Sequence, residues 1–490
     1  MRRRGRFALG SIAGGLLALA ASCALDLDES RIDAAADGGF QPDRGGGGGE
    51  PSDGGVDTGI PVGPDATACT SDEPCVTTHG CLKGRCDLSR KRCVYDVCKS
   101  AACSAAVCDK EKATCGPATP YKYKVSQFAI GQQVACSSGR CAAAVHPWLF
   151  VTTPTGLVAF DVSNPTNPTP PQVPVVGLGF VPTQIVQSGS RVWLVGAPSG
   201  PGPSRVPLAW IDAPVDPFTP TITAHTVLAT YNRPAEQILL FPRGGDSALF
   251  VGPAAAQHPA AIVDLPLVEP VSLTATPLQF AENTAPSAVS GKRLLMTGVV
   301  TQIAMFDFID NAGGPMPTTE PVAAFTDAGA VSVARSFAQS ADGAIFWATG
   351  VHHQVGEAVL TRAVRGWFVV ANETAPLDAS LGVDVETYAT PIPANASVVG
   401  PTAMLDANTA MVATMSRDNG EQTAVQFVTR QPLAVVKEGD APRRHVLPVP
   451  IAAFVTATAS NGIGYLVAND QPGPPASATV YVFDPACALQ

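Results

Sequence analysis

Positive charge is scarce in this chain. Lysine and arginine number 31 in 490 residues against 41 acids, a formal net charge of -10. Nucleic-acid binding draws on clustered basic side chains that release counterions from phosphates, and the balance here runs the other way, so no nucleic-acid partner is expected. Charged residues of every kind make up only 15%, which leaves little material for long charged helices. Catalytic signatures are missing as well. There is no His-Glu-x-x-His spacing, no Gly-x-Ser-x-Gly elbow and no P-loop, since the glycine run at 45–49 has no lysine after it. A calcium loop is absent too, the nearest stretch being "SRDNGE" at 416–421, which reads as a hairpin turn. No cofactor and no metal is expected, and an enzyme is the less favoured class.

What the chain has in quantity is turn formers and apolar residues: 46 glycines, 45 prolines and a hydrophobic fraction of 46%. That mixture points to short strands joined by tight turns. The beginning reads differently. "MRRRGRF" is a positive n-region, and "ALGSIAGGLLALAAS" is an apolar run shorter than the ~20 residues of a membrane-spanning helix, so residues 1–22 read as a signal peptide. The small residues Ala20, Ala21 and Ser22, with Leu19 before them, lead into Cys23. They resemble the lipobox of bacterial lipoproteins, which implies that Cys23 becomes the lipid-modified first residue. The chain departs from that pattern in having Ala20 where the family usually has Leu. Cleavage after Ala18-Leu19-Ala20, leaving a free secreted protein, is the alternative. Cysteine parity favours lipidation, because spending Cys23 leaves an even twelve of the 13 for pairing.

Residues 23–65 hold ten acids, two arginines and almost no large apolar side chains. They cannot bury enough surface to offset ordering entropy and read as a disordered, flexible tether. Residues 66–118 then carry nine cysteines: Cys69, Cys75, Cys81, Cys86, Cys93, Cys98, Cys103, Cys108 and Cys115. So many in so short a span mark a small disulfide-held module in an oxidising compartment. Zinc would call for C-x2-C pairs, which the module lacks. It resembles the cysteine-rich knots of exported proteins, EGF-like and dickkopf-type spacers among them, and no binding site carries over. His79 reads as a plain loop residue.

From residue 119 to 490 a pattern of two strands recurs seven times, beginning with "WLFVTTPTGLVAFDVSNPTNP" and ending with "GYLVAND" and "TVYVFDP". The central residues of the leading strands are Phe150, Leu194, Phe250, Leu295, Phe346, Val412 and Leu466, spaced 44 to 66 residues apart. A propeller blade of four strands takes ~40 to 50 residues. The spacing therefore predicts an all-β chain with a β-propeller of about seven blades, the leading strands being inner ones. The first copy also resembles the LVIVD-type repeats of exported bacterial proteins, which implies the same fold. Asp161, Asp212, Asp264, Asp307 and Asp484 end second strands and read as turn caps rather than catalytic acids.

Ring closure is expected to use "YKYKVSQFAI" as a strand of the last blade. A disulfide from Cys487 to Cys136 or Cys141 is the favoured lock, and a Cys136–Cys141 pair with Cys487 bonded to the module is the rival. Of the histidines (His79, His146, His225, His258, His352, His353 and His445), the pair 352–353 with Glu357 nearby is the best candidate for a site, with a solvated loop as its alternative. Trp148, Trp193, Trp210, Trp347 and Trp367 read as strand core. Together these features predict a monomer displayed at the outer membrane or cell surface by its lipid, or else periplasmic or secreted. It would serve as a binding or scaffold module for a protein or glycan; the alternative is a propeller-type hydrolase or lactonase with a site at the channel.

Overall fold

The computed structural model describes most of the chain from Cys69 to Cys487, apart from short internal stretches. Residues 1–68 lie outside it, so the expected signal, Cys23 and the acidic tether fall outside the described residues; of the side chains between 241 and 335 nothing is described. Among the described residues the chain is nearly all β, with 3-10 turns at Glu73–Cys75 and Ile451–Ala453. Two parts are visible: a disulfide-rich module and a ring of sheets.

Among the described residues the ring shows seven sheets of four or five strands. Their first strands are Ala142–Val145, Pro182–Ser188, Leu239–Gly244, Thr284–Ser290, Ser332–Gln339, Val399–Met404 and Phe454–Ser460. Each packs against the next, and the seventh returns to the first. That circuit is a β-propeller. In the last sheet the fourth strand comes from the other end of the sequence: Lys124–Ala129 pairs antiparallel with Ala478–Phe483, with Ala129 opposite Thr479. The expected closing strand is therefore in place.

The seven apolar positions read from the sequence fall on second strands, such as Phe150 in Trp148–Thr153 and Leu466 in Ile463–Asn469. They are not the innermost strands. Each second strand has a neighbour on both sides and neighbouring sheets over both faces, which is why its residues run apolar without alternation. Trp148–Thr153 is buried at all six positions. Full burial of a side chain such as Phe150 or Phe346 contributes about 1.5–3 kcal/mol. Trp148, Trp193, Trp347 and Trp367 are buried, as expected, while Trp210 is half-buried.

The true first strands shown by "AAAV" and "FVTATAS" are rich in small residues, the second of them in Thr and Ser, because they carry a different load. Their inner edge has no further strand to satisfy its backbone. Side chains from the adjoining sheet do so instead. Thr458 Oγ1 accepts from the Ala144 amide at 3.1 Å and Ser460 Oγ from the His146 amide at 2.9 Å, tying the seventh sheet to the first. The Gln184 amide group brackets Leu240, accepting from its N–H at 2.7 Å and donating to its carbonyl at 3.0 Å. These bonds lock neighbouring sheets in register around the axis.

Candidate functional site

Side-chain contacts tie a disulfide-held module to the ring. Two hairpins build the module, Leu82–Asp87 with Arg92–Val97, and Cys108–Asp109 with Thr114–Cys115. Cys86 stands opposite Cys93 and Cys108 opposite Cys115, yet neither pair bonds across its hairpin. The bonds are Cys69–Cys86, Cys75–Cys93, Cys81–Cys108 and Cys98–Cys115. A fifth, Cys103–Cys487, joins the module to the C-terminal segment, and a sixth pairs Cys136 with Cys141.

The favoured lock between Cys487 and Cys136 or Cys141 is thus corrected. Cys141 precedes a first strand and so lies at the end of the ring where first strands begin. Cys487 follows Ala478–Phe483, a third strand, and lies at the end where first strands finish. A six-residue strand of ~20 Å separates those two ends, far beyond the reach of a disulfide.

Docking of the module uses turns from three sheets, all at that second end. His146, in the turn after Ala142–Val145, donates through Nε2 to the Tyr95 carbonyl at 3.0 Å. Asn164 Nδ2 donates to the Ala106 carbonyl at 3.1 Å. The segment after Ser204–Asp212 packs Val215 against the module cluster that contains Cys75 and Tyr95, and Phe218 against the one that contains Cys81 and Val97, with the Phe218 ring 5.0 Å from that of His79. Burial and the Asp216 carboxylate hold the Tyr95 phenol above its usual range. Tyr121 donates to Asp484 Oδ2 at 3.1 Å, and Arg443 Nη1 donates to the carbonyls of Pro485 at 2.7 Å and Cys487 at 2.9 Å. His79 is a docking ring, not a plain loop residue.

The recurring acids are resolved one by one. Asp161 Oδ1 accepts from the Ser163 amide at 3.0 Å and Asp484 Oδ1 from the Ala486 amide at 3.0 Å, the expected turn chemistry. Asp212 instead pairs with Arg191 across the sheet at 2.6 Å. Asp264 lies outside the described residues, as does the side chain of Asp307. His352 and His353 end Ile345–Gln354, at the end of the ring away from the module; their side chains, that of His258 and Glu357 lie outside what is described. His225 stacks on Trp210, ring centroids 5.2 Å apart, and that pairing leaves neither ring's shared face open.

A second polar cluster had no sequence signal. Glu386, buried on the fifth sheet, accepts from Gln426 Nε2 at 2.6 Å and Arg444 Nη1 at 3.2 Å on the sixth, and Arg444 Nη2 donates to Ser416 Oγ at 2.5 Å. Both carboxylate oxygens are engaged, so this cluster cross-links sheets. Among the described residues, the trios close enough to hold a metal are Cys69, Cys75 and Cys93, and Cys81, Cys98 and Cys115. Every one of those sulfurs is in a disulfide, and a cystine sulfur lacks the thiolate charge that binds zinc.

No family model matches the chain, and no curated protein does. Among solved structures it is similar to Raptor from Chaetomium thermophilum, at 8% identity and a TM-score of 0.41, covering 76% of this chain and 30% of that one. It is also similar to the Cps50 (Swd1) β-propeller domain of Myceliophteria thermophila, at 11% identity and a TM-score of 0.40, covering 73% and 98%. A third is the β-propeller domain of the Trilobed protease from Pyrococcus furiosus, at 9% and 0.36, covering 70% and 94%. Similarities this low carry no argument about function. The fold stands on the closed circuit of sheets.

Proposed function

We propose that this is an exported lipoprotein, anchored through Cys23, which presents a β-propeller as a binding or scaffold module for a protein or glycan at the outer membrane or cell surface. The observation that carries the reading is the position of the module. It is the segment that follows the tether, and it is fixed to one end of the ring by a disulfide and by contacts from three sheets. An anchored tether entering at Cys69 reaches that end, so the opposite end, where second strands finish, is the one presented to a partner. Disulfides throughout the module fit an oxidising compartment.

Mass spectrometry of the mature protein extracted from membranes tests the anchor. A diacylglyceryl or triacyl mass on residue 23 is expected, and Cys23→Ser should release the chain to the soluble fraction. An unmodified mature N-terminus at any other residue sinks the anchor. The presentation role is tested separately, by titrating the immobilised propeller with isolated envelope proteins and glycans; absence of any saturable binding rules it out.

A further inference from the structure

The module is a repeat. Cys75, Cys81, Cys86 and Cys93 recur as Cys98, Cys103, Cys108 and Cys115, the last three each displaced by 22 residues. The backbone repeats with them. Leu82 pairs with Val97 beside Cys81, and Ser104 pairs with Pro120 beside Cys103. Cys98 N–H donates to the Cys81 carbonyl at 2.8 Å, and Tyr121 N–H donates to the Cys103 carbonyl at 2.8 Å. The bonding follows the same rule in both units: the first cysteine bonds the fourth, as Cys75–Cys93 and Cys98–Cys115. The second cysteine of one unit bonds the third of the next, as Cys81–Cys108.

Such an array leaves one cysteine open at each end. At the start it is Cys86, the third of the first unit, and Cys69 fills it. At the finish it is Cys103, the second of the last unit, with no third unit to supply a partner. We propose that Cys487 takes the place of the third cysteine of that missing unit, so that the propeller's C-terminal segment caps the cysteine array, and that thiol–disulfide exchange at this bond enters through Cys103.

Burial sets the direction. Cys487 is fully buried, with Arg443 holding its carbonyl from the other side, whereas Cys103 is only partly buried. Exchange needs a sulfur that a reagent can reach. In the forward step the Cys103 thiolate attacks one sulfur of a small disulfide oxidant and expels a thiolate. The Cys487 thiolate then attacks Cys103 Sγ and expels the second. Two protein thiols lose two protons and two electrons, and the oxidant's S–S bond becomes two thiols. Because Cys487 follows the strand Ala478–Phe483 of the seventh sheet, the array is completed only after that sheet has been made. The inference does not depend on the lipid anchor.

Native protein carrying Cys487→Ser, incubated with glutathione disulfide, should gain a glutathione on Cys103, located by peptide mapping, while the five other bonds persist. In Cys103→Ser the Cys487 thiol should react at least about tenfold more slowly until denaturant is added. Glutathione on Cys487 at a comparable rate overturns the direction of exchange. A bond from Cys103 to another module cysteine in Cys487→Ser overturns the capping role. Should either variant fail to fold, the intact protein answers: limited treatment with reduced glutathione places the adduct from this bond on Cys103, and an adduct on Cys487 refutes the proposal.

Discussion

His146 donates through Nε2 to the backbone carbonyl of Tyr95 across 3.0 Å, one of the buried bonds by which the ring holds the cysteine-rich module. The same turn is tied inward, its amide donating to Ser460 Oγ. One residue thus links the module, the first sheet and the seventh. His146→Phe keeps the ring's bulk but leaves a buried carbonyl without its donor, which costs about 1–3 kcal/mol. Amides near Tyr95 should exchange faster in hydrogen exchange while those of Trp148–Thr153 keep their protection. Equal loss of protection in both would mean that the contact serves the ring and not the docking.

Thr349 offers the opposite case. Its hydroxyl is fully buried on the second strand of the fifth sheet and, among the described residues, finds no hydrogen-bond partner. Thr349→Val replaces that hydroxyl with a methyl of similar size and should raise stability by about 1 kcal/mol. Thr402→Val should lower it by a similar amount, since Thr402 Oγ1 donates to the Met411 carbonyl at 2.7 Å. Chemical denaturation of the pair decides; a loss of stability at 349 contradicts the assignment.

The contrast between these two threonines shows where the sequence was legible. Apolar runs such as "WLFVTT" announced second strands, because burial on both faces leaves a composition that any reader can see. First strands such as "AAAV" and "FVTATAS" carry no such mark. Their Thr and Ser answer to backbone groups of the adjoining sheet, over 300 residues away in the case of Thr458 and Ala144. The closing strand was legible from its place before the first repeat. The pairing of Cys487 was not, because which end of the ring a residue occupies depends on strand order. The repeat within the module lay open in the 22-residue offset of its cysteines, but gaps of four to six residues recur so often there that the unit is obscured.

Glu386 and Arg444 join the fifth and sixth sheets with a buried carboxylate. Arg444→Met removes the guanidinium and strands Glu386 beside Gln426, and it should cost about 2–3 kcal/mol, below the range for a fully buried pair because Arg444 is partly exposed. Adding Glu386→Gln in the same chain should recover much of that loss, since no charge is then left buried. Urea midpoints of the single and double variants provide the check. A double variant no more stable than Arg444→Met shows that the charge is not what matters.

His445 lies in the strand Arg444–Pro450, its ring 5.9 Å from Phe483, and burial first and then the nearby Lys124 charge hold its pKa below the ordinary histidine value. The folded state therefore resists protonation more than the unfolded chain does. Above the unfolded value of about 6.5 both states are neutral and the residue is indifferent to pH. As pH falls through that value the unfolded chain takes up the proton first, so stability declines until the depressed folded pKa is passed and then levels off. His445→Phe keeps the packing against Phe483 and removes the titration. Its stability relative to the parent should rise as pH is lowered from 7.5 towards the acid range, measured at matched ionic strength, because Lys124 is itself partly screened by solvent. A parent and variant that lose stability in parallel through this window would place the acid sensitivity elsewhere than His445.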